Sequence, residues 1–258
     1  MKICGLKRPD DAELAVQLGA WALGMIMTPK SARYLPPEDA AELVATHRRS
    51  VETVGVFVDA KLDHVTQVAD AVGFSMIQLH GDEGQQYCEE IARRTGCRVI
   101  KAFRVRDRSV LAELGKHRYV DFHLLDTYKA GVPGGTGEVF DWSFLSQRTD
   151  RVPLILSGGL NPENVGSGIA TVTPYAIDLS SGVETEPGVK DHDRMRELFD
   201  AVHAADELQP TDEEAPVEAL TGLEEQVLTI GRDGIGSENA ITLRDQDRRE
   251  RAPKPRRK

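Results

Sequence analysis

The feature that most constrains the fold is a repeated alternation of short apolar runs and longer amphipathic stretches between residues 1 and 204. Short runs rich in β-branched residues are typical of buried strands, and amphipathic stretches of helices. Repeated strand-helix units indicate a parallel sheet, because parallel neighbours need a crossover connection. We predict eight strands, at residues 2–4, 22–27, 53–58, 76–80, 99–103, 122–126, 153–157 and 175–179. Eight units in about 200 residues predict an α/β protein with a compact (β/α)8 barrel.

The position of the glycine-rich turns decides between this barrel and its alternative, a doubly wound open sheet. An open sheet of that kind is expected to carry its phosphate-binding glycines after the first strand. In this chain they follow the seventh and eighth predicted strands. The barrel is therefore the favoured architecture.

The sequence changes character after residue 204. Residues 206–225 contain eight acids and no Lys or Arg, and residues 244–258 contain eight bases and three acids. Charge blocks of this kind usually belong to disordered tails. We predict a catalytic barrel at residues 1–204 and a mostly disordered tail at 205–258, in which apolar runs at 227–230 and 240–243 leave a weak hairpin or a docking segment open.

Composition excludes several classes of function. The net charge of -10 argues against nucleic-acid binding, which needs clustered Lys and Arg. No stretch approaches the roughly 18 apolar residues of a membrane span, and the start lacks a secretory signal, so we predict a cytoplasmic protein. The three cysteines form no C-x-x-C pair and the seven histidines are scattered, so we predict no metal site.

Two reactive side chains stand at the ends of predicted strands. Cys4 ends the first strand and Asp126 ends the sixth. The carboxyl ends of barrel strands converge on one mouth, so residues far apart in sequence face one substrate there. Taken singly, Cys4 is a buried thiol and Asp126 a loop cap. Together they have the geometry of an acid/base pair.

The turns after the last two strands predict a phosphate site. Gly158 and Gly159 follow the seventh strand, and Ser180, Ser181 and Gly182 follow the eighth. Glycines let backbone N–H groups approach an anion closely, and a helix N-terminus adds a favourable dipole. Either turn alone reads as a tight turn or a helix cap, but both occur at the positions expected for a phosphate.

Two further segments lie beside the same predicted mouth. Arg33 follows the second strand, where its guanidinium can pair with a carboxylate in bidentate fashion. The glycine-rich residues 131–137 follow Asp126 and form either a lid or an exposed connection.

These residues belong to a series of ordered motifs. The motifs are Lys-Ile-Cys-Gly at 2–5, Pro-Lys-Ser-x-Arg-Tyr at 29–34, Gln-Leu-His-Gly at 78–81, Leu-Leu-Asp-Thr at 124–127, Gly-Gly-Thr-Gly at 134–137, Phe-Asp-Trp-Ser at 140–143, Ser-Gly-Gly-Leu-Asn-Pro-Glu-Asn-Val at 157–165 and Asp-Leu-Ser-Ser-Gly-Val-Glu at 178–184. Through them the chain resembles the phosphoribosylanthranilate isomerase family of tryptophan biosynthesis, and the resemblance covers residues 1 to about 204.

The resemblance implies an Amadori rearrangement of N-(5-phosphoribosyl)anthranilate to 1-(2-carboxyphenylamino)-1-deoxyribulose 5-phosphate. In that family the position matching Asp126 is the general acid that opens the ribose ring, and the position matching Cys4 is the general base that removes the C2 proton. Arg33 is then expected to hold the anthranilate carboxylate. The expected substrate-binding set is Arg33, His80, Gly158, Gly159, Asp178, Ser180, Ser181 and Gly182.

The implied chemistry needs no cofactor and no metal, because ring opening creates an iminium that acidifies the neighbouring C–H. The expected partner is a small phosphosugar substrate, with no nucleic acid and no membrane, and the chain is a monomer or a homodimer. Burial at a strand end raises the pKa of a Cys4 thiol, so a positive charge has to offset it. Lys2, Arg33 and the phosphate-loop dipoles are the candidates.

Two other functions compete with this one. The histidine-pathway aminoaldose isomerase performs the same rearrangement on a larger bis-phosphate substrate with the same fold, but it carries a carboxylate base where Cys4 stands here. A non-catalytic phosphosugar-binding barrel is the second alternative. The combination of Cys4, Asp126 and Arg33 speaks against it, because a binding module needs neither acid nor base.

Overall fold

The computed structural model describes residues 1–127 and 142–208, and within them eight strands close into a parallel barrel in the order in which they occur along the chain. The strands are β1 Lys2–Cys4, β2 Ala22–Ile26, β3 Glu52–Phe57, β4 Met76–Leu79, β5 Arg98–Val105, β6 Phe122–Thr127, β7 Leu154–Ser157 and β8 Ala176–Leu179. The predicted (β/α)8 architecture is therefore confirmed, and each predicted strand lies within two residues of the observed one.

Helices connect the strands on the outside of the barrel. They are α1 Pro9–Gln17, α2 Pro37–His47, α3 Leu62–Val72, α4 Gln85–Thr95, α5 Val110–Lys116, α6 Val165–Val172 and α7 His192–Glu207. Two short 3₁₀ helices, Trp142–Gln147 and Ser181–Val183, follow β6 and β8. Several helices begin as their sequences predict: α2 has Pro37 at its start and Glu38 and Asp39 in its first turn, where acids suit the helix dipole.

The barrel has two apolar layers with different side chains. Its interior is filled mainly by small and branched residues, such as Ala22, Val54 and Ile155. At the amino-terminal end Trp21, Phe122 and Tyr175 stack with ring centroids 5.3 to 5.7 Å apart. The larger layer lies between the strands and the helices. The interior is thus packed at the amino-terminal end, and in barrels of this kind the substrate site lies at the carboxyl-terminal end.

A short antiparallel hairpin, β9 Glu184–Glu186 and β10 Val189–Lys190, follows β8 and was not predicted. Its turn contains Pro187 and Gly188, and Gly188 has a φ of 87°. Proline followed by glycine suits a type II turn, since the third turn position needs a positive φ. Pro-Gly was therefore the sequence signal for this hairpin.

The last helix is longer than predicted. It runs to Glu207, three residues past the predicted 204, and Ala205 is buried in its last turn. The glycine-rich loop at 131–137 and the tail from residue 209 onward lie outside the described residues, so both remain predictions. No helix in the described part of the chain combines the length and the apolar character needed to cross a bilayer.

Candidate active site

The side chains predicted to act together stand at one end of the barrel. Cys4 is the last residue of β1, Asp126 is the next to last of β6, and the turns after β7 and β8 leave the same rim. The Cys4 thiol is buried, whereas Asp126 is half-buried. Parallel closure brings these residues together, although up to 178 positions separate them in the chain (from Cys4 to Gly182).

A neighbouring glycine makes room for the Cys4 thiol. A Cβ added at Gly24 on β2 would lie 2.9 Å from Cys4 Sγ and 3.2 Å from Lys2 Cε. Lys2 is fully buried, and its Nζ donates to Asp178 Oδ1 at 2.7 Å. The thiol and the end of the Lys2 side chain therefore share the space above Gly24, and the Lys2 ammonium group is paired with the Asp178 carboxylate.

A second buried lysine contacts the backbone of the thiol residue. Lys190, on the hairpin, donates from Nζ to the Cys4 carbonyl at 2.6 Å, to the Ser180 carbonyl at 3.1 Å and to Glu184 Oε1 at 2.8 Å. Burial lowers the pKa of Lys190, and Glu184 opposes that shift. The hairpin thus places a cation against the end of β1.

These charges act on the pKa of Cys4 in opposite directions. Burial raises the pKa of the thiol, Lys2 and Lys190 lower it, and Asp178 raises it, with the net shift upward. Burial also acts to lower the pKa of Lys2, but Asp178 and Cys4 outweigh it, and the pKa is raised. Lys2 was one of the candidate offsetting charges, and it has this effect; Lys190 was not among the candidates.

Arg33 is held in place by Glu184. Its Nε lies 2.9 Å from both carboxylate oxygens, and its Nη2 donates to Oε2 at 2.6 Å. This bidentate contact raises the pKa of Arg33. Burial acts to raise the pKa of Glu184, but hydrogen bonds from Arg33 and Lys190 lower it. The Nη1 edge of Arg33 makes no hydrogen bond within the described residues, so the guanidinium is fixed on one side and open on another.

Asp126 is joined to two residues from β4 and the turn after it. His80 Nε2 lies 3.1 Å from Asp126 Oδ2, and Gln78 Nε2 lies 2.9 Å from His80 Nδ1. Gln78 is buried inside the barrel, whereas His80 and Asp126 are partly exposed. His80 was expected to bind substrate; the structure places it in contact with the expected acid.

The two phosphate-site turns contact each other. A Cβ added at Gly182 would lie 2.0 Å from the Leu160 carbonyl oxygen, so only glycine allows this approach. Gly158 and Gly159 have φ values of 88° and 64°, which favour glycine. Within the described residues no acceptor takes the N–H groups of Gly159, Ser181 or Gly182. Three donors at the barrel rim therefore remain available to an anion.

One residue expected at the site is buried, and two residues beside it carried no expectation. Asp178 was expected to bind substrate, but it is buried, with Lys2 on one oxygen and the Ser157 hydroxyl donating to the other at 3.4 Å. Its position is thus beside Cys4 and not at the open surface of the mouth. Glu184 and Lys190 received no role, because the sequence separates them from Arg33 and Cys4 by more than a hundred residues.

Comparison with known proteins places this site in a family. The family model for N-(5'-phosphoribosyl)anthranilate (PRA) isomerase matches residues 1–201. The chain belongs to the phosphoribosylanthranilate isomerase family. It is therefore an isomerase, which contradicts the alternative of a non-catalytic barrel.

Members of the phosphoribosylanthranilate isomerase family resemble the chain over nearly their whole length. The N-(5'-phosphoribosyl)anthranilate isomerase of Citrifermentans bemidjiense is 45% identical over 199 residues, which is 77% of this chain and 94% of that protein. The crystal structure of the Thermotoga maritima enzyme is 41% identical with a TM-score of 0.72, covering 79% of this chain and 98% of that one.

One solved relative contains a ligand. It is a phosphoribosyl anthranilate isomerase in complex with reduced 1-(o-carboxyphenylamino)-1-deoxyribulose 5-phosphate. It is 40% identical, with a TM-score of 0.70, and the match covers 79% of this chain and 97% of that chain.

Among the residues described in this chain, no group of three or more His, Cys, Asp and Glu side chains has the arrangement of a metal site.

Proposed function

We propose that this isomerase converts N-(5-phosphoribosyl)anthranilate to 1-(2-carboxyphenylamino)-1-deoxyribulose 5-phosphate in tryptophan biosynthesis, with Asp126 as general acid and Cys4 as general base. The observation that carries the proposal is that a carboxyl, a thiol, a guanidinium and two glycine-containing turns stand at one barrel mouth, where the Arg33 Nη1 edge and the N–H groups of Gly159, Ser181 and Gly182 make no hydrogen bond to any described residue. Each of these matches one part of the substrate: ring oxygen, C2 proton, carboxylate and phosphate.

The first chemical step is opening of the ribose ring. Asp126 gives a proton to the ring oxygen as the C1–O bond breaks, and the nitrogen lone pair forms the C1=N iminium. Asp126 is partly exposed at the end of β6, so it can reach a bound sugar. A positioned acid of this kind typically contributes about 10² to 10⁴ in rate.

The second step is removal of the C2 proton by Cys4. The electron pair of the C2–H bond moves to the iminium and gives an enolamine, which tautomerises to the aminoketone. Burial raises the pKa of the Cys4 thiol, so its thiolate is scarce near neutral pH and strongly basic once formed. Lys2 and Lys190 counter this shift, and the cationic iminium favours the thiolate further during turnover.

The remaining groups hold the two ends of the substrate. The Nη1 edge of Arg33 is directed to the anthranilate carboxylate, because Glu184 already occupies the Nε edge. The N–H groups of Gly159, Ser181 and Gly182 bind the phosphate, with Gly158 and Ser180 completing the turns. Fixing both ends keeps the reacting carbons between the acid and the base.

The decisive experiment is an isomerase assay that follows the loss of phosphoribosylanthranilate fluorescence. Cys4→Ala and Asp126→Asn are each expected to lower kcat by about 10² or more while the affinity for the reduced product analogue changes little. Cys88→Ala is the matched control, since Cys88 is also a buried thiol but lies on α4. Near wild-type turnover by Cys4→Ala would remove the thiol from the mechanism.

The histidine-pathway bis-phosphate aminoaldose serves as the second substrate in the same assay. We expect no comparable turnover of it, because the first strand carries Cys4 and not a carboxylate. Efficient turnover of that substrate would contradict the proposed specificity.

The proposal assigns no catalytic role to the tail. All the proposed groups lie between Cys4 and Lys190. Because Ala205 is buried in the last helix, a truncation has to follow Leu208 to leave the barrel whole. A chain of residues 1–208 is expected to keep its kcat and Tm, and a large drop in either would show that the tail supports the barrel.

A further inference from the structure

Gln78 is a buried amide whose nitrogen and oxygen are used unequally in hydrogen bonding. It lies inside the barrel at 1% exposure, among apolar side chains such as Val56 and Ile100 on the neighbouring strands. Its Nε2 meets His80 Nδ1 at 2.9 Å, and within the described residues its Oε1 has no hydrogen-bond partner. A buried unpaired carbonyl costs free energy, so stability alone does not explain glutamine at this position.

The contact with Gln78 determines which nitrogen of His80 carries the proton. An amide N–H is a donor only, so Nδ1 of His80 has to accept and is unprotonated. A neutral imidazole then carries its proton on Nε2, which lies 3.1 Å from Asp126 Oδ2. His80 therefore donates to that oxygen.

This donation distinguishes the two oxygens of Asp126. The carbonyl-type oxygen of a carboxyl group is the better hydrogen-bond acceptor, so an N–H aimed at Oδ2 favours the acidic proton on Oδ1. Oδ1 makes no hydrogen bond to any described residue, whereas Oδ2 is fixed by His80. Within the described residues, the oxygen that can carry the proton is thus the one without a hydrogen-bond partner.

We propose that Gln78 is a positioning residue, which sets the tautomer of His80 and thereby directs the acidic proton of Asp126 to the oxygen that faces the sugar. This inference rests on the proposed role of Asp126. It assigns to Gln78 a role in the rate of ring opening and none in substrate binding. The unpaired Oε1 is the structural cost of placing the amide N–H against His80.

The first test reads the tautomer directly. In protein labelled with ¹⁵N-histidine, the ring nitrogens of His80, assigned with a His80→Asn variant, are expected to show the Nε2–H form of the neutral ring. Gln78→Glu replaces the donor by an acceptor and is expected to give a protonated Nδ1. A wild-type ring in the Nδ1–H form, or an unchanged ring in Gln78→Glu, would overturn the proposal without reference to activity.

The second test separates positioning from a structural role. Gln78→Met removes the amide but keeps the volume, so Tm is expected to hold or rise as the unpaired carbonyl disappears. Its kcat is expected to fall about tenfold or more, with KM within about twofold, as is typical when an orienting partner of a functional histidine is lost. A fall in Tm with kcat unchanged would make Gln78 a structural residue.

A matched control uses the other glutamine of this kind. Gln85, at the start of α4, also donates through Nε2, to Glu89 at 2.8 Å, and its buried Oε1 also lacks a partner among the described residues. Gln85→Met is expected to leave kcat and the His80 tautomer unchanged. If Asp126→Asn kept full activity while Gln78→Glu switched the tautomer of His80, the proposed acid would be wrong. The control of that tautomer by Gln78 would still be correct.

Discussion

Two buried polar clusters, of similar composition, lie on opposite sides of the barrel wall. The mouth cluster, defined as Lys2, Cys4, Arg33, Asp178, Glu184 and Lys190, lies at the substrate end. The flank cluster, defined as Glu83, Lys101, His117, His123 and Asp150, lies between β4 to β6 and the surrounding helices and loops. Both contain a buried lysine paired with a carboxylate, and both join segments that are distant in sequence.

The clusters differ in where their hydrogen bonds end. In the flank cluster Lys101 Nζ donates to Glu83 Oε2 at 3.2 Å and to the carbonyls of Gly81, Ala102 and Leu79. The Glu83 carboxylate also accepts backbone N–H groups from Asp59 and Gly81 at 2.8 Å. The hydrogen bonds of Lys101 and Glu83 are therefore all made to other groups of the protein.

The mouth cluster is arranged differently. The Cys4 thiol has Lys2 as its hydrogen-bond partner, whereas the Nη1 edge of Arg33 and the N–H groups of Gly159, Ser181 and Gly182 make no hydrogen bond within the described residues. Burial of charge is therefore a poor sign of function by itself, because structural networks also shift pKa values. A better indication of function is a buried, charged group that still has hydrogen-bonding capacity directed toward a cavity.

The largest expected effect is a loss of stability from a substitution in the flank cluster that leaves the catalytic rate unchanged. Lys101→Met leaves the Glu83 carboxylate buried without its cation, and loss of one partner of a buried pair typically costs about 3 to 5 kcal/mol of unfolding free energy. Denaturant unfolding measures this loss, and kcat of the folded fraction is expected to stay near wild type. Lys116→Met, in an exposed pair with Glu113, is the control and should change stability little. If kcat fell a hundredfold in folded Lys101→Met, the flank cluster would not be purely structural, and the distinction between the two clusters would be wrong.

His123 sharpens the comparison through pH. Burial lowers the pKa of His123 to about 4, so the unfolded chain binds a proton at higher pH than the folded chain does. This contribution to stability is present above about pH 6.5 and is lost as pH falls toward 4, by about 3 kcal/mol at 1.36 kcal/mol per pKa unit. His123→Asn is expected to lose less stability than wild type between pH 7 and pH 4. His64→Asn, at an exposed histidine, is the control. If the two variants lost equal amounts of stability between pH 7 and pH 4, the low pKa of His123 would be contradicted.

Arg33 tests whether the open edge of the mouth cluster binds the substrate. Arg33→Met is expected to weaken binding of the reduced product analogue by about 10- to 100-fold, the usual worth of a charge-assisted hydrogen bond. Ribose 5-phosphate, which lacks the anthranilate carboxylate, should bind as before. Arg93→Met is the matched control, because Arg93 makes the same bidentate contact with Glu90 on an exposed helix. Titration calorimetry measures the affinity of Arg33→Met for both ligands. An equal loss of affinity for the reduced product analogue and for ribose 5-phosphate would show that Arg33 only supports the loop.

The smallest effect concerns two glycines with nearly the same conformation. Gly159 and Gly96 have φ values of 64° and 68°, and a Cβ at either would meet no atom within 4 Å. Substitution by Val is expected to cost each about 1 to 2 kcal/mol of stability through left-handed strain. Only Gly159→Val should also weaken binding of inorganic phosphate, since its side chain obstructs approach to the rim. If both variants bound phosphate as wild type does, the phosphate site would lie elsewhere.

Much of the fold was predictable because it depends on local patterns. Each strand is a short run of apolar and β-branched residues, and parallel strands that close in sequence order must bring their carboxyl ends together. Cys4, Asp126 and the turns at 158–159 and 180–182 could therefore be placed at one mouth from their positions relative to the strands. The hairpin after β8 was not predicted, although the Pro187-Gly188 pair indicates a turn at its position.

The sequence alone thus determined the barrel and the position of Cys4 and Asp126 at the ends of its strands, because strand period and strand order require no knowledge of distant contacts. The tertiary structure alone decided what surrounds them. Lys2 meets Asp178 only because β8 pairs with β1 in a register that aligns those two residues when the barrel closes. The hairpin in turn delivers Lys190 to the carbonyl of Cys4, 186 positions away. The pKa of the thiol depends on both contacts, and charges this distant in sequence become neighbours only when the chain folds.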